Sequence, residues 1–459
     1  MSTPQTFQSA AEKKAFDLKH RQTISYNIGK YNTAVKTGMG QYRDHELARS
    51  RAAYLKTQVI ENLDKYLLQF EENFRKRGGR VIWAETREDA LREILAIFER
   101  KRARSVVKSK SMATEEIHLN EYLEAHGVEA VETDLGEYIC QLSGQKPYHI
   151  VTPVMHMSKE DISELFFQKL KTARTNDPQE LTLIARRILR EKYTSADVGI
   201  TGGNFLVADI GGVAITENEG NARLSVGFPK THIALVGIEK VIPSLQDLDL
   251  FWPLLATSGT GQQVTTYSTV LTGPRQPGET DGPDEMYVVL LDNGRTNLLA
   301  EPDKRQALNC IRCGACLNAC PVYRNIGGHS YDSTYSGPIG SVITPHLEGM
   351  EKFKHLSYAS SLCGACSSVC PVRIDIHNLL LLNRQQSVEA GLNDKTEALG
   401  FKLWERGMKS RRLMNLVGFR LKNWALGTLF KDTWGRRRIT PALPPRSFNQ
   451  LWKEKRNKS

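Results

Sequence analysis

Seven of the chain's eight cysteines fall between positions 310 and 370, in two groups that each end in Cys-Pro, and this spacing restricts the fold more than any other feature. The first group is Cys310, Cys313, Cys316 and Cys320 followed by Pro321, a C-x2-C-x2-C-x3-C-P run. The second is Cys363, Cys366 and Cys370 followed by Pro371. In such runs three close thiolates wrap one iron-sulfur cube while the fourth swings toward a second cluster. That crossover assigns Cys310, Cys313, Cys316 and Cys370 to one 4Fe-4S cluster, and Cys320, Cys363 and Cys366 to another. The second set is one thiolate short. The register of the first group puts the missing ligand at Ser360. A serine oxygen, a histidine such as His355, a partner's residue or a 3Fe-4S cluster are the alternatives. Thiolates also select zinc or Cu(I). Structural zinc sites, however, usually take their four ligands as two separated pairs, so the dense first group fits a cube better.

A length of 459 residues suggests about three domains. With 40% apolar and 25% charged residues, the composition is that of a globular protein. No apolar run reaches the roughly 18 residues of a membrane helix. The start lacks a basic stretch followed by an apolar one, so no secretion signal is expected, and thiols at cluster spacing point to the cytoplasm. The net charge of +11 is concentrated: residues 391–459 carry 17 Lys and Arg against 5 Asp and Glu.

Four segments follow from the pattern along the chain. Residues 1–78 read as a helical extension packed on a neighbour or a partner, ended by Gly78-Gly79. Residues 79–298 alternate strands with helices. Strands are expected near 81–84, 105–108, 128–131, 197–201, 205–208, 213–216, 232–237 and 286–291, and Thr86 with Asp89 forms a capping box. This rhythm predicts an α/β domain with a mainly parallel sheet covered on both faces. Residues 299–384 form the α-helical two-cluster ferredoxin module; its 42-residue connection from Pro321 to Leu362 is loop-rich at first and suits a docking surface. Residues 385–459 are a basic tail with Trp404, Trp424, Trp434 and Trp452.

The sequences at 108–112 (Lys-Ser-Lys-Ser-Met), Glu115-Glu116, 132–137, 201–205 and 217–224 resemble the lactate-utilisation (LUD) domain. That family is similar in fold to the ribose-isomerase and CoA-transferase group. Together with the two Cys-Pro groups and the basic tail, the chain resembles the iron-sulfur proteins of lactate utilisation. The resemblance implies the ligand sets given above, including a second cluster with three cysteines. It also implies partners: a cysteine-rich-domain protein and a second LUD-domain protein.

Other constellations have plainer readings. Lys108, Lys110 and Ser111 sit at a strand end, where an anion would suit them, or where they would form a solvated turn. The glycines at 202–203, 211–212 and 258–261 match neither a dinucleotide fingerprint nor a P-loop, and read as tight turns. Glu217, Glu219 and Arg223 act on a ligand or form ion pairs. Cys140 reads as core, and His149, His156 and His232 lack metal-ligand spacing. The tail docks a partner, contacts an anionic membrane surface peripherally, or is a helix with a solvated basic side; no nucleic-acid module accompanies it. The expected function is electron transfer in L-lactate oxidation through two 4Fe-4S clusters, with no catalytic residue assigned and the acceptor open. The alternatives are a ligand-binding or acyl-group enzyme with regulatory clusters, and a structural zinc site beside a nucleic-acid-binding tail.

Overall fold

A computed structural model describes residues 4–429, 431 and 438–457; Trp434 lies outside the described residues. Contacts divide the chain into two compact units, Met1–Ser387 and Val388–Ser459.

In the first unit the strands are β1 (Arg80–Ala84), β2 (Ser105–Lys108), β3 (Glu129–Glu132), β4 (Val198–Thr201), β5 (Phe205–Val207), β6 (Gly212–Glu217), β7 (Thr231–Gly237), β8 (Val241–Ile242), β9 (Tyr267–Leu271) and β10 (Glu285–Leu291). Six of them form a sheet in the order β1-β10-β7-β4-β2-β3, every pair parallel. Alternation along β10 explains the cover on both faces. Met286, Val288 and Leu290 enter one apolar core, and Tyr287, Val289 and Leu291 enter another. The expected parallel α/β sheet is therefore present. The expected strands at 205–208 and 213–216 belong to a separate four-stranded sheet, β8-β5-β6-β9, in which β6 pairs antiparallel with both neighbours. Thr86 and Asp89 make the expected capping box at the head of helix Arg87–Lys101.

Residues 4–78 pack against the rest of their own chain. Ile24, Ile28, Val59, Leu67, Phe70 and Phe74 are buried in the same core as Cys313, Cys316, Cys320, Cys366 and Cys370. The connection between the cysteine groups is likewise not a surface loop. Its helix Gly337–Leu347 buries every residue from Gly337 to Pro345, because two glycines allow close approach. A Cβ on Gly340 would lie 1.9 Å from the Tyr335 carbonyl oxygen, and Gly337 adopts φ +72°.

In the second unit, helices Lys395–Lys409, Phe419–Thr428 and Phe448–Arg456 contain no buried residue. Trp404, Trp424 and Trp452 are exposed among the basic side chains. No described helix is long and apolar enough to cross a membrane.

A buried ion network ties the sheet to the first cysteine group. Arg295, just beyond β10, donates to Glu116 at 2.8 and 2.9 Å and to Glu239 at 2.6 Å. Tyr335 and Asn293 also donate to Glu116, each at 2.6 Å, and Arg312 reaches Glu239 at 3.3 Å. Burial alone would raise the Glu239 carboxyl, but Arg295, Arg312 and Lys240 outweigh it and hold it at about 2, against an ordinary 4.5. Glu239 therefore contributes stability that is complete above about pH 4.5 and is lost as the pH falls toward about 2. Arg295→Met leaves two buried carboxylates short of a partner and is expected to cost roughly 3–5 kcal/mol in urea unfolding. Lys76→Met, which ends an exposed pair with Glu72, is expected to cost less than about 1 kcal/mol.

Candidate metal centre

The two cysteine groups share one backbone conformation. Arg312 (φ +61°) precedes Cys313 and Gly314 (φ +82°) follows it; Leu362 (φ +53°) precedes Cys363 and Gly364 (φ +77°) follows it. Left-handed backbone at two alternate residues turns the chain around a point. Each turn then runs into a short helix, Ala315–Ala319 or Ala365–Ser368, and the two helices pack together. Within this repeat the Arg312 N–H donates to Cys310 Sγ at 3.4 Å, and the Leu362 N–H donates to Ser360 Oγ at 3.1 Å. Ser360 thus occupies the place in its turn that Cys310 occupies in the other. His355 instead lies against the rings of Phe7 and Phe353.

Electrostatics sorts the sulfurs into two neighbourhoods. Burial raises the Cys316 thiol well above its ordinary range, and Cys310, Cys313 and Cys370 raise it further. Cys313 is raised by burial and then by Cys370 and Cys310. Cys370 is pushed up to about 11 by burial and then by Cys310. Cys366 reaches about 11 through burial and then Cys320, while Cys320 is raised by burial and also feels Cys363. One neighbourhood holds Cys310, Cys313, Cys316 and Cys370; the other holds Cys320, Cys363 and Cys366. Cys363 is exposed, and the Ala365 N–H lowers its thiol. Cys140, buried, is placed at the Pro153 carbonyl, 3.8 Å away.

The donor set fits an iron-sulfur group. Backbone N–H groups of Tyr323 and Ile374 reach Cys320 Sγ and Cys370 Sγ at 3.5 and 3.3 Å, the type of hydrogen bond that tunes cluster sulfurs. Around one tetrahedral zinc ion, bonds of about 2.3 Å would bring thiolates within about 4 Å of each other. Among the described residues, the trio of ligand atoms found within 4.8 Å of one another is Glu115, Glu132 and Glu137, with no cysteine.

Two supports for these turns carry no sequence signal of their own. Arg49, on helix His45–Glu61, donates to the Cys370 carbonyl at 2.9 and 3.1 Å and to the Ser368 carbonyl at 2.6 Å. Only the folded arrangement brings it across more than 300 positions of sequence. Gly259, one of the glycines read as a tight turn, lies inside helix Leu248–Thr260 with the first cysteine turn against it. A Cβ there would stand 2.6 Å from the Cys313 carbonyl oxygen. Gly211 (φ +62°) does make a turn, between β5 and β6.

At the carboxyl edge of the parallel sheet a cavity of about 290 Å³ opens, bounded by Lys110, Gly202 and Gly203, Gly237, Lys240 and Cys313 among others. Open parallel sheets bind ligands at this edge. Of the residues expected to suit an anion at the β2 end, Lys110 and Ser111 line the cavity. Lys108 is instead buried between Glu132 at 2.7 Å and Glu115 at 2.9 Å. Glu217 and Glu219 line the cavity too, whereas Arg223 stacks on Tyr267. His232 pairs with Thr201 at 2.9 Å, and His149 Nδ1 accepts from the Val151 N–H at 3.1 Å. His156 pairs with Gln145 at 2.8 Å.

A parallel α/β sheet carrying a paired cysteine module defines an iron-sulfur protein. Family comparison agrees: residues 67–291 match the LUD domain and residues 306–374 match the 4Fe-4S dicluster domain. Lactate utilization protein B of Shouchella clausii is 46% identical over 427 residues, 93% of this chain and 90% of that protein. Lactate utilization protein B of Bacillus subtilis is 49% identical over 370 residues, 80% of this chain and 77% of that one. The chain belongs to the lactate utilization protein B family.

Gly259→Ala presses a methyl group onto rigid backbone at Cys313. It is expected to cost about 1–3 kcal/mol and to lower iron per chain after anaerobic purification, with Gly427→Ala, in open space, leaving iron unchanged.

Proposed function

We propose that the chain is the iron-sulfur electron-transfer subunit of an L-lactate oxidation system, accepting electrons released as lactate becomes pyruvate on a partner and passing them on singly. The observation that carries this reading is the sorting of seven cysteine sulfurs into two adjacent neighbourhoods drawn from both halves of the module. Cys310, Cys313, Cys316 and Cys370 hold one 4Fe-4S cluster; Cys320, Cys363 and Cys366 hold the second, with Ser360 Oγ in the fourth place. Bound clusters supply one-electron carriers. The residues of the chain position and tune them. Thiolates bind iron, backbone N–H groups offset the negative charge on sulfur, and Arg49 fixes the Cys370 turn. Cys316 and Cys320 lie at either end of one short helix, so the two sites stand close together. Exposed Cys363 marks the side from which electrons leave. The name of the relatives supports a lactate-utilisation system with further subunits. The subunits proposed here are a cysteine-rich-domain protein and a second LUD-domain protein. Within the chain, residues 79–298 and 299–384 are taken as the two working domains, flanked by 1–78 and 385–459.

The cavity at the sheet edge favours a second reading, a ligand-binding or acyl-group enzyme with clusters in a regulatory role. Turnover of lactate or a CoA ester by purified protein carrying Cys313→Ala and Cys366→Ala would select it.

A strain lacking the gene is expected not to grow on L-lactate, and growth is expected to return with the wild-type gene but not with Cys370→Ala. Normal growth of the deletion strain would remove the proposal. For the second site, EPR of reduced protein is expected to change in Ser360→Ala and to show a conventional four-cysteine cluster in Ser360→Cys. Identical spectra for the wild type and both variants would exclude Ser360 as a ligand.

A further inference from the structure

Positive charge and exposed apolar side chains are gathered together in the last part of the chain. Residues 391–459 carry 17 Lys and Arg against 5 Asp and Glu, whereas residues 1–390 carry 45 against 46. The excess of +12 finds no matching excess of acid in the rest of the chain, and a second copy would bring the same surplus. Helices Lys395–Lys409, Phe419–Thr428 and Phe448–Arg456 bury no residue, yet each carries an exposed tryptophan, Trp404, Trp424 and Trp452 respectively. Apolar surface of this extent on several helices marks a face that something outside the chain covers.

Helix Lys395–Lys409 sorts the two properties onto opposite sides. Phe401, Trp404 and Met408 recur at helical spacing with Leu399 and Leu403 beside them, and all five are at least half exposed. Lys395, Lys402, Arg406 and Lys409 fall on the other side, where Lys409 holds Glu405. Glu397, in the first turn, is the one charge on the apolar side. Helix Phe448–Arg456 repeats the arrangement on a smaller scale. Phe448 stacks on Trp452 with ring centroids 6.0 Å apart, Leu451 lies one turn from Phe448, and Lys453, Lys455 and Arg456 flank them. A 15-residue helix is about 22 Å long, less than the roughly 30 Å of a bilayer core. A helix of this kind lies in the plane of an interface, apolar side down, with its ammonium and guanidinium groups at the level of the headgroups.

We infer that helices Lys395–Lys409 and Phe448–Arg456 dock the protein on an anionic bilayer surface. Leu399, Phe401, Leu403, Trp404 and Met408 enter the acyl boundary, and Lys395, Lys402, Arg406 and Lys409 meet lipid phosphate. The net positive charge draws the tail to such a surface. Two observations favour lipid over other polyanions. The aliphatic members of the apolar side need hydrocarbon, which nucleic acid does not offer, since its bases stack on aromatic rings. Tryptophans on separate helices can enter one fluid surface together whatever the angles between the helices, whereas a protein partner requires a fixed arrangement. Docking of this kind does not depend on the clusters, and its failure would leave the electron-transfer reading untouched.

The test is flotation of the anaerobically purified full-length protein with vesicles of phosphatidylcholine alone and of equal parts phosphatidylcholine and phosphatidylglycerol. Binding to the anionic vesicles is expected, with little to the neutral ones and release as salt is raised. Lys402→Gln with Arg406→Gln is expected to weaken binding at least about tenfold. Trp404→Ser with Met408→Ser is expected to weaken it by a similar factor at unchanged net charge. All four side chains are exposed, so iron per chain is expected to stay at the wild-type value, which reports that the variants are folded. In the wild type, lipids brominated on the acyl chain are expected to quench tryptophan fluorescence, and the Trp404 variant to lose part of that quenching. No binding to anionic vesicles, equal binding to both kinds, unchanged affinity in either double variant, or no quenching by brominated lipid overturns the inference. Self-association that is lost in the Trp404 variant, or single-stranded RNA that displaces the vesicles, would also overturn it and give the face to a second copy or to nucleic acid.

Discussion

Buried carboxylates at Glu116 and Glu239 need cations on opposite sides, and the chain supplies them from two parts of its fold. Arg295 comes from just beyond strand β10, and Arg312 from the first cysteine turn. Neither arginine can leave without stranding a charge in the interior. The turn bearing Cys313 is thereby fixed to the sheet, and the sheet edge, the cavity and the first set of sulfurs become one piece. Gly259 and Arg49 add packing and carbonyl contacts to the same two turns.

The module itself is a repeat in which one cysteine position is a serine. One half puts two left-handed residues around Cys313 and the other around Cys363, and each aims a backbone N–H at the side chain three positions earlier, Cys310 or Ser360. The position holds sulfur at Cys310 and a hydroxyl at Ser360. A harder oxygen ligand in the second set would change its potential relative to the first, as ligand type and hydrogen bonding set cluster potentials. Cys363 is exposed in the same half, so the second set of cysteines differs from the first in solvent contact as well.

Much of this was legible in the residues. The cysteine spacing marked the two turns, because ligand separation along a tight turn is a local property. The Val- and Ile-rich runs located the strands of the parallel sheet, and Thr86 with Asp89 marked a helix start. Pairing was not legible: β5 and β6 alternate like any other strands, and period alone does not say which sheet they join. β9, Tyr-Ser-Thr-Val-Leu, escaped notice because it is a partly exposed edge strand with polar residues at its start. Lys108 looked like an anion ligand and is an ion-pair partner, since its carboxylates come from residues brought close by the fold. Glycines 337 and 340, in the connection whose start was expected to be loop-rich, serve close packing inside a helix.

The most direct measurement is iron, sulfide and zinc per chain in anaerobically purified protein, with Mössbauer spectra of the same sample. About eight irons and eight sulfides with two distinguishable cluster sites, one carrying an oxygen-ligated iron, are the expected result. A colourless protein holding zinc and no iron, and still supporting growth on lactate, would contradict it.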